Sequence, residues 1–299
     1  MAERSLDFSI IVPTRNRPLQ LRACLEALAS LNYPGDRFEV IVVDDGSRAS
    51  PDSVFDGVST AVHGNLIRQA HAGPARARNA GAAQARGRTL AFLDDDCRPA
   101  PDWLGRLAAA FREKPGHLVA GRTVNVASRN VCSVAGHILS EAAQGHVDRA
   151  SGSMAFYASN NIAVPADDFQ EVGGFDTSFP RPGGEDREFC LRWVLSGRSQ
   201  SHAPEAVVFH SHSLKPAALW RQQFNYGRGA CLFYRKKITL TTEGERPSLQ
   251  FLGAFHCKLW RLVRDEPVLR WIPLAVLVFV SQAAVATGYF WETISCPDF

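Results

Sequence analysis

Short apolar runs alternate with stretches of helical periodicity along the first 126 residues. Phe8-Ser-Ile-Ile-Val12 is a nearly continuous apolar run ending at Pro13, which predicts a strand buried on both faces. Leu21, Cys24, Leu25, Leu28 and Leu31 recur at helical spacing, and a proline suits a first helical turn, so Pro18 to Leu31 reads as a helix. Glu39-Val-Ile-Val-Val43, Asn65 to Gln69 and Thr89-Leu-Ala-Phe-Leu93 predict three further strands. Gly73-Pro74 opens an Ala-rich helix, and Pro101 to Glu113 gathers Trp103, Leu104, Leu107 and Phe111 on one helical face. Leu118 to Val126 predicts another strand.

This alternation implies an α/β fold with a mostly parallel sheet covered by helices on both faces. In such sheets ligands bind beyond the carboxyl ends of the strands. Two acidic clusters, Asp44-Asp45 and Asp94-Asp95-Asp96, sit at that edge. Residues 127–213 are less regular: Gly173-Gly174 and Gly183-Gly184 mark loops, Glu185 to Ser196 predicts a helix stopped by Gly197, and Ala206 to His210 predicts a strand.

Of the 299 residues, 45% are hydrophobic and 21% charged, which excludes disorder for the bulk of the chain. A net charge of +3 is too mild to argue for a nucleic-acid partner, and none is expected. The seven cysteines are scattered without a CxxC pair, which reads as reduced thiols in a cytosolic protein. The first apolar run is too short for a secretory leader, so none is expected.

Charge is uneven along the chain. Leu214 to Arg270 carries 11 Lys or Arg against 4 Asp or Glu. Trp271 to Trp291 follows with 21 residues and no charge. As a helix this stretch spans about 31 Å, close to a hydrocarbon layer of about 30 Å. Trp271, Tyr289, Phe290 and Trp291 lie near its ends, and Arg261, Arg264 and Arg270 precede it. Membrane attachment on the cytoplasmic face is expected, with spanning and in-plane placement both open. A buried helix in a soluble cytoplasmic protein is the alternative.

Several clusters carry candidate chemistry. Hard oxygen ligands at Asp94 and Asp96 suit Mg²⁺ or Mn²⁺; a solvated turn before Pro99 is the plainer reading. Asp44-Asp45-Gly46-Ser47 is either a polar contact for a bound base or ribose, or a turn whose acids bond their own backbone. Arg76 and Arg78 at a helix start favour phosphate, or form a solvated face. Asp186 after Gly183-Gly184-Glu185 is a candidate general base, or an ordinary first-turn acid. His210-Ser211-His212 offers imidazoles beside the acidic edge, or packed histidines.

The order of these pieces resembles a family 2 glycosyltransferase with a GT-A fold. The resemblance rests on Ser9-Ile-Ile-Val-Pro13-Thr14-Arg15-Asn16, Val42-Val43-Asp44-Asp45-Gly46-Ser47, Gly73-Pro-Ala-Arg-Ala-Arg78-Asn79 and Phe92-Leu-Asp94-Asp95-Asp96. Ser159-Asn160-Asn161-Ile-Ala163, Glu171-Val-Gly-Gly-Phe175-Asp176 and Gly184-Glu185-Asp186 resemble the acceptor-side motifs. It implies an inverting transfer from a nucleotide sugar, most often UDP-linked, to a glycan, lipid-linked or other hydroxyl acceptor, as in extension of a cell-envelope glycan. Pro13, Thr14, Arg15, Asp44, Asp45, Arg78, Asn79, Asp94 and Asp95 are then expected around the nucleotide sugar. Asp96, Asp94 and His210 are expected on Mn²⁺ or Mg²⁺, with His212 competing for the histidine role. Asn161, Gly184 and Glu185 fall on the acceptor or donor-sugar side, and Asp186 is the base. A catalytic domain over 1–230 is implied, with a nucleotide half to 126, followed by a basic helical segment and a membrane-associating helix at 271–291.

Arg192-Trp193 is similar to the Arg-Trp pair of processive synthases, but Phe189 stands where their Gln falls, against processive synthesis. A nucleotidyltransferase and a non-catalytic nucleotide-sugar binder are the competing readings. The first lacks glycines in Pro13-Thr-Arg-Asn-Arg17. The second does not account for Asp94, Asp96 and Asp186 together.

Overall fold

The computed structural model describes residues 6–59, 63–144, 147–148, 154–240 and 249–295. The chain divides into two units: Met1–Val124, Ala158–Pro180 and Arg192–Ser211 form the first; Asn125–Tyr157, Arg181–Leu191 and His212–Phe299 form the second.

The first unit is built on a sheet. Strands β1 (Leu6–Thr14), β2 (Phe38–Asp45), β3 (Gly64–Gln69) and β4 (Gly87–Leu93) are the expected apolar runs. They pair in parallel, with Ile10 opposite Val40 and Ala91, and Val42 opposite Leu66. Every residue of β2 is buried, as a strand covered on both faces requires, whereas β3 at the sheet edge is half exposed. Helices α1 (Pro18–Ala29), α2 (Asp52–Ser59), α3 (Pro74–Ala83) and α4 (Trp103–Glu113) cover it. α1 inserts Leu21, Cys24, Leu25 and Leu28, and α4 inserts Trp103, Leu104 and Leu107, into one core with Ile10, Val12, Val40 and Val42. α3 sits close because Gly81 has no side chain: a Cβ there would lie 2.6 Å from Ile11 Cγ2.

The other half of the sheet is mixed. A short strand β5 (Cys97–Pro99) follows the acidic run, and β6 (Leu118–Asn125) comes after α4. The less regular middle contains α5 (Val131–Ala143), a two-residue ladder of β7 (Val147–Asp148) with β8 (Met154–Ala155), then β9 (Asn161–Pro165) and α6 (Ala166–Val172). β9 re-enters between β4 and β6 and runs antiparallel to both. The chain reaches it from an excursion through the second unit, so no crossover helix obliges it to be parallel. α7 (Glu185–Leu195) precedes β10 (Gln200–His210), which pairs antiparallel with β5, His210 opposite Cys97.

The second unit is largely helical. α5, capped by the Asn130 side chain accepting from Ser133 N, packs with α8 (Pro216–Leu240), α9 (Leu249–Arg264) and α10 (Trp271–Ser295). Val134, Ile138, Leu219, Leu259, Leu274 and Val278 share its core. α8 and α10 touch at their backbones: a Cβ at Gly227 would lie 2.0 Å from the Val285 carbonyl oxygen, and one at Gly288 2.0 Å from that of Phe224. Arg228 pairs with Glu292 across the same contact. α10 extends the uncharged stretch foreseen at 271–291 by one turn.

Candidate active site

β4 ends at Leu93 and delivers Asp94, Asp95 and Asp96 to the carboxyl edge of the sheet. A backbone hydrogen bond from Cys97 N to Asp94 O, 3.0 Å, closes the turn and splays the three side chains. Each meets its own cationic or donor group. Arg78 Nη2 donates to Asp94 Oδ1 at 2.7 Å. The Thr14 hydroxyl at the end of β1 donates to Asp95 Oδ2 at 2.7 Å. Arg17 Nη1 sits between Asp95 Oδ1, 3.1 Å, and Asp96 Oδ2, 3.0 Å. Asp96 Oδ1 lies 3.2 Å from His210 Nε2. Ser211 N donates to Asp96 O at 2.9 Å, so the end of β10 is tied to the acidic run by backbone as well.

Burial separates the three acids. The Asp94 side chain is 34% exposed, whereas Asp95 and Asp96 are 5% and 6% exposed, so Asp94 is the one open to a ligand without rearrangement. Burial pushes Asp95 up to about 6; Arg17 and the Thr14 hydrogen bond pull the other way, and the neighbouring acids add to the rise. Burial disfavours the His210 cation, but the hydrogen bond and charge of Asp96, with the charge of Asp94, outweigh it and raise the imidazole above its ordinary value. The thiols of Cys24 and Cys97, fully buried beside this run, are driven well above the usual range by burial first and the carboxylates second, so neither is a nucleophile at neutral pH.

The second acidic pair is a loop fastener. Asp45 Oδ1 accepts from Gln69 Nε2 and Ala72 N at 2.7 and 2.8 Å, and Oδ2 from Gly73 N at 2.9 Å and His71 Nδ1 at 2.7 Å. Burial raises its pKa, but these four donors prevail and hold it below the ordinary carboxylate value. Asp44 Oδ1 accepts from Ser47 N at 3.0 Å in a local turn. Pro13 is half-buried and Arg15 exposed; Arg15 Nη1 lies 3.0 Å from His71 Nε2, so Arg15, His71 and Asp45 form one chain.

Asn79 and Asn161 use their amides on backbone groups. Asn79 Nδ2 donates to Phe175 O at 2.8 Å, and its Oδ1 accepts from Phe175 N at 2.9 Å. The buried Asn161 accepts from Trp103 Nε1 at 2.9 Å and donates to Ala206 O at 3.0 Å and Arg122 O at 3.2 Å. Arg192 donates to Val172 O and Gly174 O. In the first unit, then, the expected residues Thr14, Arg78, Asp94, Asp95, Asp96 and His210 converge, while Asp45 and Asn79 hold the loops beside them.

The second unit carries the remaining expected residues. Gly183 and Gly184 have φ of +122° and +101°, and a Cβ on Gly183 would lie 2.9 Å from the Tyr226 ring, so glycine is required there. The buried Glu185 accepts from Gly183 N at 2.7 Å and fixes this turn. Asp186 is half-buried in the first turn of α7 and accepts from Arg187 N at 2.9 Å. The Arg187 guanidinium lies 4.8 Å from the centre of the Phe233 ring. His212 begins the final stretch of this unit.

Sequence reasoning missed Arg17 and His71. Arg17 was visible as the second arginine after the first strand, facing the edge where three acids cluster. His71 carried no local signal; only folding sets it against Asp45.

Comparison with known proteins agrees with this architecture. The fold is GT-A. Its likeness includes the mannosyltransferase PcManGT of Pyrobaculum calidifontis, solved with GDP-Man and Mn²⁺ (TM-score 0.66, 16% identity, 97% of this chain and 89% of that one). It also includes residues 1–349 of S. aureus TarS, solved with UDP-GlcNAc (TM-score 0.57, 16% identity, 98% and 93%). Residues 9–149 match Glycosyl transferase family 2 and residues 90–296 match Glycosyl transferase family group 2, and the chain belongs to glycosyltransferase family 2. The pre-mycofactocin glycosyltransferase of Mycobacterium tuberculosis is 31% identical over 301 residues, covering 95% of this chain and 62% of that protein. The chain thus spans less than two thirds of that relative's length.

Proposed function

We propose that the chain transfers a sugar from a nucleotide sugar to a hydroxyl acceptor with inversion at the anomeric carbon. The observation that carries this reading is the convergence of Asp94, Asp96 and His210 at the carboxyl edge of the sheet, with Asp96 Oδ1 3.2 Å from His210 Nε2. Family membership and the nucleotide sugars bound by PcManGT and TarS support it.

Asp186 acts as the general base. It takes the proton of the acceptor hydroxyl as that oxygen bonds to the anomeric carbon; the bond from that carbon to the diphosphate breaks, and the nucleoside diphosphate leaves with the electron pair. Positioned bases of this kind contribute roughly 10²–10⁴-fold. Arg78 and Thr14 hold Asp94 and Asp95 in place, and Asp45 holds the 69–73 loop against β2. The carboxylates of Asp94 and Asp96 suit Mg²⁺ or Mn²⁺, and the His210 nitrogen tilts the set toward Mn²⁺. When bound there, such an ion would neutralise charge on the departing diphosphate. The acceptor belongs to a lipid-linked or surface glycan, and the C-terminal apolar helix attaches the chain to the cytoplasmic face of a membrane.

The test is a thermal-shift screen of UDP- and GDP-sugars with Mn²⁺, followed by assay of nucleoside diphosphate release with a lipid-linked acceptor. A raised melting temperature and acceptor-dependent release are expected. No shift with any nucleotide sugar overturns the reading, and a shift with no release leaves a binder in place of an enzyme.

A further inference from the structure

α10 turns large apolar side chains outward as well as inward. Its outward face carries Ile272, Phe279 and Ile294 at 78%, 75% and 80% exposure, with Val276, Phe290 and Trp291 also exposed. Its inward face places Ser281, Gly288 and Glu292 among the buried residues, beside Leu274 and Val278. A helix packed on a protein core in water carries polar residues on its outer face. Just before it, Val268 and Leu269 stand 69% and 93% exposed. An apolar face this long points to an apolar solvent.

The inward face decides how the helix meets that solvent. α8 runs along it, in backbone contact at Gly227 and Gly288, and joined to it by the Arg228–Glu292 ion pair and by Cys231 Sγ, 3.5 Å from Thr293 Oγ1. α8 bears Arg221, Arg228, Arg235, Lys236 and Lys237. If α10 crossed the bilayer in this packing, it would draw α8 and its cations through the hydrocarbon toward the far headgroups, since α8 packs against Val285, Gly288 and Glu292; if it crossed alone, Arg228 and Glu292 would lose each other. Neither cost arises when the helix lies flat, its outer face in lipid and its inner face on protein. The excess of 11 Lys or Arg over 4 Asp or Glu between Leu214 and Arg270 complements an anionic surface.

We propose that the second unit docks on an anionic lipid bilayer with α10 lying in the membrane plane and not crossing it. This rests on the membrane attachment proposed above and fixes its geometry. The surface is Val268, Leu269 and the outer face of α10, and the occupant is the headgroup and upper acyl layer of the leaflet.

Two experiments on the full chain test it. In flotation, the chain is expected to rise with vesicles of phosphatidylcholine and phosphatidylglycerol, and a V276D/F279D variant to lose at least about tenfold in bound fraction. Both side chains are exposed, so far-UV circular dichroism should be unchanged. Failure to float with these vesicles overturns the membrane reading and this one with it. Flotation indifferent to V276D/F279D overturns α10 as the docking face. The second experiment places an epitope after Phe299 and adds protease to spheroplasts and to inverted vesicles of an expressing bacterium. The epitope is expected to survive in spheroplasts and to be digested in inverted vesicles. Digestion in intact spheroplasts means that α10 crosses; it overturns the in-plane geometry and leaves membrane attachment standing.

Discussion

The side chain of Asn79 and the backbone of Phe175, 96 positions apart, satisfy each other in both directions, at 2.8 and 2.9 Å. α3 is thereby fastened to the Gly174-Phe175 turn, where Gly174 has a φ of +67°. Phe175 in turn packs edge-on against Phe92 of β4, next to the acidic run, and Arg78 lies 5.6 Å from its ring centre. Asn79→Ala should therefore cost about 1–3 kcal/mol for each buried backbone group left without a partner. Thermal unfolding should show a fall of several degrees. Asn79→Asp keeps the acceptor for Phe175 N but sets a carboxylate oxygen against Phe175 O, and its melting point should also fall below that of the wild type.

Asp186→Asn removes the carboxylate proposed as the base while nearly keeping the shape of the side chain. Transfer should fall roughly 10²–10⁴-fold, measured as nucleoside diphosphate release with acceptor present. Donor affinity by calorimetry should change little. Wild-type turnover by this variant would remove Asp186 from the base role.

Asp96→Ala and His210→Ala should each weaken Mn²⁺-dependent donor binding, and chelation of divalent cations should abolish turnover until Mn²⁺ is restored. His210→Ala leaves the pairing of Asp96 with Arg17 in place, whereas Asp96→Ala takes one of the two carboxylates away from Arg17. Calorimetric titration with Mn²⁺ in the presence of a nucleoside diphosphate distinguishes loss of the metal from loss of the nucleotide.

Asp45 gives a pH signature. Its folded pKa is depressed, so its contribution to stability is fully present above the ordinary aspartate value of about 4 and is lost as pH falls through the lower folded value. Asp45→Asn places an amide against four donors and should destabilise on the order of 1–3 kcal/mol at neutral pH. The difference in denaturation midpoint between wild type and variant should stay flat from pH 7 to about pH 5 and shrink below about pH 4.

The legible parts of the fold were those whose periodicity is local. β1, β2 and β4 announce themselves as unbroken apolar runs, and α1 and α4 as apolar residues at helical spacing. β9 is only five residues of sequence Asn-Ile-Ala-Val-Pro, too short to separate from a loop without its partners β4 and β6. α8 begins ahead of the basic helical segment expected after residue 230, and its close contact with α10 at Gly227 leaves no apolar stripe to announce that first half. In the candidate site, the acidic runs and His210 stand out in the sequence because they close or directly follow strands. The pairing of Arg17 with acids 78 and 79 positions away has no local pattern, and neither does the grip of Asp45 on His71. The bonds of Asn161 to Trp103 Nε1 and to the carbonyls of Arg122 and Ala206 join residues 39 to 58 positions away and likewise have no local pattern.

The carboxylates after β4 are accompanied by counter-ions from three separate elements: Arg78 from α3, Arg17 from the start of α1, and His210 from the end of β10. The folded protein thus presents this edge as a nearly balanced patch in which positive and negative groups interleave. A polyanion approaching it meets no wall of like charge.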